Sequence, residues 1–315
     1  MNNYYFISKI LKIINYYMEE FTMTNNKWIK SGLTLSAALV LAACGGAGNK
    51  SEEGSTGADD QAAETTEEQV DDQHIHVGAS NTPHAELLEY VQPKLAEEGI
   101  ELEITVYDDY ALQNPALVNG DVDANYFQHV PYFNEQIKEN DYDIADIGHI
   151  HLEPIAAFSK RFKSLEELPD GATIYVSNNR PDHGRILEIF EKAGLLEIDD
   201  AIDITEASFE DIKENPHDYK FETDFDPGLM PTFYENDEAD AIFINSNFAV
   251  DAGINILEEN IAIQDADSPY ANLIAVRSED KDNPALKRLV ELLQDKETQD
   301  YILEKWEGAV LPATD

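Results

Sequence analysis

From position 74 onward the apolar residues switch between two periods. Ile75, Val77 and Ala79 occupy every second position and predict a strand over 74–79. Thr82-Pro83 then reads as a helix start, with threonine as cap and proline at the first helical position. Leu87, Leu88, Val91 and Leu95 follow at helical spacing, and Gly99 closes that helix. Leu102, Ile104 and Val106 return to alternation. A polar loop over 108–115 opens a helix through Leu117, a third alternating run covers 122–127, and Val130-Pro131 starts a helix around 133–137. The order β-α-β-α-β-α predicts a parallel sheet with helices on both faces.

The stretches 144–150 and 154–158 read as an extended connection. After the turn Pro169-Asp170-Gly171 the alternation restarts: a strand over 172–176 and a helix over 183–194 with Ile186, Leu187, Ile189 and Phe190 on one face. A short helix at 209–213, a strand at 220–223, a short helix at 229–234, a strand at 239–244 and a helix at 248–253 follow. The segment 270–276 reads as a buried strand, and Asn283-Pro284 starts a last helix carrying Leu286, Leu289, Val290 and Leu293. Two α/β lobes are implied, the chain crossing between them near 150 and near 266. Lobe 1 takes 74–150 plus 266–315, and lobe 2 takes 151–265. No internal repeat and no coiled coil is visible.

The first 73 residues do not join this pattern. Lys27 and Lys30 precede an apolar run, Leu33 to Leu41, that ends in Leu41-Ala42-Ala43-Cys44-Gly45. These are the marks of a signal peptide over 1–43, and the run is shorter than the ~20 residues a spanning helix needs. Residues 1–22 precede a second methionine, Met23, from which the signal peptide has ordinary proportions. Cys44 is the only cysteine, so no intramolecular disulfide and no thiolate metal cluster can form. Its setting resembles a bacterial lipobox, in which the cysteine becomes the lipidated first residue of a protein held on the outer face of the cell membrane. Gly45 to Gln73 has no aromatic residue and reads, with Cys44, as a disordered acidic tether over 44–73, spanning ~30 Å r.m.s..

The 315 residues carry 21 Lys+Arg against 64 Asp+Glu, a formal charge of −43. This argues against nucleic-acid binding, which needs a basic footprint, and against electrostatic adhesion to anionic lipid. It fits a hydrated surface facing a saline or alkaline exterior. No nucleophile elbow, Ser/His/Asp order or Cys/His pair stands out, so neither an enzyme nor a bound cofactor is expected.

Three places concentrate binding chemistry. Asp123-Ala124-Asn125-Tyr126-Phe127-Gln128-His129 puts two rings, two amides and an imidazole near the carboxyl end of a predicted strand, where open α/β sheets place ligands; spacing alone favours ordinary core. In Ser177-Asn178-Asn179-Arg180-Pro181-Asp182-His183-Gly184-Arg185 a strand gives way to a helix. Arg185 opposes the helix dipole there, which a bidentate grip on a carboxylate would explain; a salt bridge to one of the many acids is the alternative. Gly184 reads as room for a ligand. Asn245-Ser246-Asn247 sits at another strand-to-helix junction, as ligand amides or as helix caps, and Asn272 lies on the last long strand. The pairs His74/His76 and His149/His151 each put two imidazoles on one strand face. They open a second reading, a zinc- or other metal-binding lipoprotein of a metal ABC importer, although zinc needs three or four such ligands.

A set of stretches resembles the methionine-binding lipoproteins of ABC importers, the NlpA-type solute-binding family. They are Pro83-His84-Ala85-Glu86, Asp109-Tyr110, the 123–129 stretch, His151-Leu152-Glu153-Pro154, Lys163 to Ala172, Gly184-Arg185, Glu214-Asn215-Pro216 and Asp267-Ser268-Pro269-Tyr270-Ala271-Asn272. The resemblance implies a two-lobed, type II periplasmic-binding-protein-like fold, each lobe a β-sheet flanked by helices with the ligand cleft between them. It implies capture of an amino acid, L-methionine first or a related amino acid or dipeptide, and delivery to an ABC permease and its ATPase. Tyr110, Phe127 and His129 match first-lobe pocket positions, with Tyr126 in the same motif. Arg185 matches the carboxylate-gripping arginine, Asn245 a polar pocket residue and Asn272 an asparagine near the hinge. The chain departs from the family where Asn178-Asn179-Arg180-Pro181-Asp182 replaces a usual Asn-Asp-Pro-Thr-Asn, and where Ser246 replaces a common glycine.

Overall fold

The computed structural model describes residues 73–199, 201–266 and 269–313. The expected signal peptide, Cys44, most of the tether and Asp267-Ser268 lie outside them.

Two sheets organise the chain. In the first, β1 (His74–Ala79) pairs in parallel with β2 (Glu101–Val106) and β3 (Ala124–His129). A strand from late in the chain, β12 (Ala271–Arg277), runs antiparallel between β3 and β4 (Ile144–Leu152). β13 (Leu311–Pro312) extends the edge, giving the order β2-β1-β3-β12-β4-β13. In the second sheet, β6 (Thr173–Ser177) pairs in parallel with β9 (Lys220–Phe225) and β10 (Ala241–Ile244). β5 (Ala156–Phe158) lies antiparallel between β10 and β11 (Asn260–Ile263), so the order is β9-β6-β10-β5-β11. Each sheet therefore repeats one plan that no sequence repeat announces. Three parallel strands are followed by an antiparallel strand that enters from a crossing between the lobes.

Helices cover both faces of the sheets. α1 (Glu86–Glu97), α8 (Pro284–Gln294) and α9 (Lys296–Trp306) bury Leu87, Leu88, Val91, Leu289, Leu293, Ile302 and Trp306 in a core shared with Ile75, Val77 and Ile274. α2 (Tyr110–Asn119) and α3 (Val130–Asn140) close the opposite face through Leu117, Phe133 and Leu273. In the second sheet α4 (His183–Lys192) places Ile186, Leu187 and Phe190 against Ile174, Val176 and Phe243. α5 (Met230–Glu235), α6 (Ser246–Asp251) and α7 (Ile256–Glu259) pack on the other side through Met230, Ala249 and Ile256. Among the described residues no helix is long and apolar enough to cross a membrane.

Several local expectations change. The segment around Thr82 is a single wide helical turn, Asn81–Ala85, with Thr82 itself extended and its bond to Pro83 cis. The regular helix begins only at Glu86, whose carboxylate accepts from the Thr82 hydroxyl at 2.6 Å. The helix expected at 209–213 is one 3-10 turn, Phe209–Asp211. The chain then leaves it for β8 (Ile212–Glu214), which pairs with β7 (Glu197–Ile198). The helix from Asn283-Pro284 is not the last, contrary to expectation, because α9 follows it; Thr298, Ile302 and Trp306 recur every fourth residue and form its buried face. His149 and His151 do not share a face. His151 faces Asn272 and His149 faces Leu273, so Ile150 is an extra residue, a bulge that leaves His149 exposed and His151 buried.

Candidate functional site

The ends of the parallel strands of both sheets face one cleft. Its cavity volume is only about 20 Å³, so the two walls nearly meet across it. Lobe 1 lines it with Tyr110, Phe127, Gln128, His129 and Tyr132, and lobe 2 with Asn179, Arg185, Asn245, Ser246 and Asn247. Asn272 and Glu153, at the strands that cross between the lobes, complete the lining. The lobes are closed on each other. The Tyr110 hydroxyl donates to Asn247 Oδ1 at 2.7 Å, and His129 Nε2 donates to Asp182 Oδ1 at 3.0 Å.

Local rules explain how each side chain reaches the cleft. Asp109 caps α2 by accepting from Ala111 N at 2.8 Å, which starts the helix at Tyr110 and turns that ring inward. β3 ends at His129, where the imidazole Nδ1 caps α3 by accepting from Tyr132 N at 3.2 Å. That contact makes Nε2 the protonated nitrogen, the one facing Asp182. The rings of Tyr110 and Phe127 lie 5.8 Å apart, Phe127 and Tyr132 5.7 Å, and Tyr110 and Phe248 5.1 Å. Together they form an apolar wall with tilted and edge-on contacts.

The lobe 2 wall is ionic. Arg185, in the first turn of α4, pairs with Asp182, donates to the Glu153 carbonyl at 3.1 Å, and lies over the Tyr270 ring at 4.9 Å. Its Nε is buried without a partner. Asp182 also accepts from Asn179 Nδ2 at 2.5 Å and from Asn245 Nδ2 at 2.9 Å. Burial alone would raise the Asp182 carboxyl, but Arg185 and His129 outweigh it and hold the group well below the usual carboxylate range. The salt bridge and the cleft position therefore coexist at Arg185. Asn245 does not cap α6; its amide serves Asp182 instead. Gly184 admits the protein rather than a ligand: a Cβ there would sit 1.7 Å from the Ile204 carbonyl oxygen.

Behind the cleft lies a buried polar chain at the crossing strands. The Tyr126 hydroxyl meets His151 Nδ1 at 2.5 Å, and His151 Nε2 meets Glu153 Oε1 at 2.7 Å. His84 Nε2 lies 3.0 Å from Asn272 Oδ1 and 3.2 Å from Glu153 Oε1. Glu153 Oε2 accepts from Asn247 N at 3.0 Å. Burial, with His151 adding to it, lowers His84 to about 4; burial lowers His151 to about 3 and pushes the Glu153 carboxyl up. The imidazoles are thus neutral hydrogen-bonding groups at neutral pH. His84, His151 and Glu153 form the one group of metal-ligand type among the described residues, but their facing atoms are already bonded to one another. The two histidine pairs named for zinc are not brought to one site: His74 and His76 face Glu103 on β2 at 3.6 and 4.0 Å, with His76 also 2.7 Å from Thr105 Oγ1, and His149 meets Asp146 at the surface.

Of the residues named from sequence, Tyr110, Phe127, His129, Arg185, Asn245 and Asn272 come together at the cleft. Tyr126 does not. It is 0% exposed, on the opposite face of β3 from Phe127, packed at 4.7 Å from His84. Tyr126 keeps its place in the ladder opposite Ile274, whereas Phe127 is the extra residue of a bulge and reaches the cleft. Sequence reasoning missed Tyr132 as a working part of the site and gave Asn179, Asp182 and Glu153 no role of their own within the stretches that hold them; Asn247, read as a ligand amide or a cap, lines the cleft. Tyr132 was findable, one helical turn after His129. Asp182 was findable too, three residues before Arg185 on the same helix start.

A family model described as NlpA lipoprotein matches residues 75–314. The chain is 40% identical over 291 residues to the methionine-binding lipoprotein MetQ of Bacillus subtilis, covering 92% of this chain and 99% of that protein. Among solved structures, a pheromone cOB1 precursor/lipoprotein of the YaeC family from Enterococcus faecalis is 53% identical with a TM-score of 0.74, covering 76% of this chain and all of that one. A nutrient-binding protein from Burkholderia cenocepacia, solved bound to methionine, is 35% identical with a TM-score of 0.71, again over 76% of this chain and all of that one.

Proposed function

This chain belongs to the NlpA lipoprotein family, and from that premise we propose that it is an extracytoplasmic solute-binding protein. It captures methionine and hands it to an ABC importer permease driven by a cytoplasmic ATPase. It performs no reaction. Cys44, after signal-peptide removal, carries the lipid that holds it on the outer face of the membrane.

The observation that carries this reading is the pairing of chemistries across one closed cleft. Arg185, Asn245 and Asn272 serve the charged end of an amino acid, and Tyr110, Phe127 and Tyr132 serve an apolar side chain. A thioether packs well against ring edges. Methionine has about nine non-hydrogen atoms, so its best attainable binding is roughly 13 kcal/mol, a nanomolar constant. Approaching that limit requires enclosing nearly every atom, which closure of two lobes achieves and a shallow site does not.

The test is calorimetry on the mature, lipid-free protein, stripped of bound solute by unfolding and refolding. L-Methionine should bind with a constant below 1 µM (~8 kcal/mol or more). Absence of heat with methionine and with methionine dipeptides would overturn the reading.

A further inference from the structure

We propose that Asp182 makes the cleft a filter for net ligand charge, admitting zwitterionic α-amino acids and rejecting carboxylic acids that lack the amine. The inference rests on the amino-acid reading above and adds to it a selecting residue.

Asp182 is 0% exposed. All four side chains that meet its carboxylate line the cleft: His129 from lobe 1, and Asn179, Arg185 and Asn245 from lobe 2. The one guanidinium of the cleft is therefore already charge-balanced. Its unpartnered, buried Nε still offers a donor to a ligand carboxylate. The remaining titratable groups nearby add no positive charge. His84, His129 and His151 are held neutral by burial, and Glu153 is a buried carboxyl.

A bare carboxylate docking on Arg185 would bring an uncompensated negative charge beside Asp182 in a cleft closed to water. Two carboxylates sharing one site disfavour each other's ionised forms, and an unpaired buried charge is strongly penalised. An α-amino acid brings its own ammonium and adds no net charge to the cleft. With an uncharged residue at 182, Arg185 would be a lone cation and would accept any carboxylate of the right shape.

The experiment is calorimetry on the full mature protein with three probes of one side chain: methionine, 4-(methylthio)butanoate and methioninamide. They are zwitterion, anion and cation. The wild-type protein should prefer methionine to the anion by at least 1,000-fold, and should bind the cation more tightly than the anion although the cation lacks the carboxylate. Asp182→Asn should narrow the methionine-to-anion ratio at least tenfold, chiefly by binding the anion better. An unchanged ratio in a folded Asp182→Asn protein, or a wild-type protein that binds the anion as tightly as the cation, overturns the proposal. The second comparison needs no variant and decides the matter if Asp182→Asn does not fold. If the wild-type protein does not bind methionine at all, the amino-acid reading falls, and this inference with it. If methionine binds but the charge rule fails, only the inference falls.

Discussion

Lobe 1 and lobe 2 share one strand order and present the same ends of their parallel strands to the cleft, yet they supply opposite chemistry. Lobe 1 brings rings: Tyr110 at the start of α2, Phe127 and His129 at the end of β3, and Tyr132 one turn into α3. Lobe 2 brings amides and an ion pair: Asn179 after β6, Asp182 and Arg185 at the start of α4, and Asn245 after β10. The difference shows that this fold fixes where a ligand binds but not how it is recognised. Each lobe alone is an incomplete site: lobe 1 holds most of the rings but no ion pair, and lobe 2 holds the ion pair with Phe248 as its one ring in the wall. His129 to Asp182 and Tyr110 to Asn247 join the two by hydrogen bonds within the site, beside the ring contact of Tyr110 with Phe248 and the stacking of Arg185 over Tyr270.

Removing the charge should have the largest effect. Arg185→Ala takes away the ligand's cationic partner and leaves Asp182 buried and unpaired. Methionine binding should weaken by more than 100-fold, and stability should fall by ~3–5 kcal/mol, read by calorimetry and by denaturant unfolding. Binding within tenfold of wild type would mean that the carboxylate is held elsewhere and that the division of labour between lobes is misdrawn. Next comes the apolar wall. Phe127→Ala should cost ~1.5–3 kcal/mol of binding, or roughly 10–100-fold. It should also erode the preference for methionine over alanine, which Arg185→Ala leaves in place. If both variants changed side-chain preference equally, the lobes would not be separable in this way. The smallest effect is expected behind the wall. Tyr126→Phe removes the donor to His151 Nδ1, so stability should drop by ~1–3 kcal/mol while methionine affinity stays within threefold. A larger loss of affinity would return Tyr126 to the site.

The neighbours Tyr126 and Phe127 show what could be read in the sequence. Their motif was recognisable as a unit, and its place at a strand end followed from Val130-Pro131 starting a helix. Which ring enters the cleft depends on the phase of the strand, and the phase is set by pairing. β12 lies antiparallel to β3 with Asn272 opposite His129, Leu273 opposite Gln128 and Ile274 opposite Tyr126, so Phe127 is an extra residue of β3, a bulge that resets the phase between the two rings. Likewise His149 and His151 looked equivalent at a spacing of two until a bulge in β4 separated them.

By itself, then, the sequence determined what is local or periodic. Alternation and helical spacing announced the elements, a proline announced where α3 begins, and the pile-up of motifs announced the family, while the start of α2 at Tyr110 fell inside what reads as a polar loop over 108–115. The tertiary structure decided everything that depends on residues far apart in the chain. A strand after position 270 enters the first sheet and places Asn272 between His129 and His151. Closure of the lobes sets an imidazole from residue 129 against a carboxylate at 182, and an amide from 245 against the same carboxylate. The physical reason is one of range. Backbone preference and side-chain period act over a few residues. The burial of Asp182, and the balance of charge it imposes on Arg185, exist only once both lobes have excluded water from the space between them.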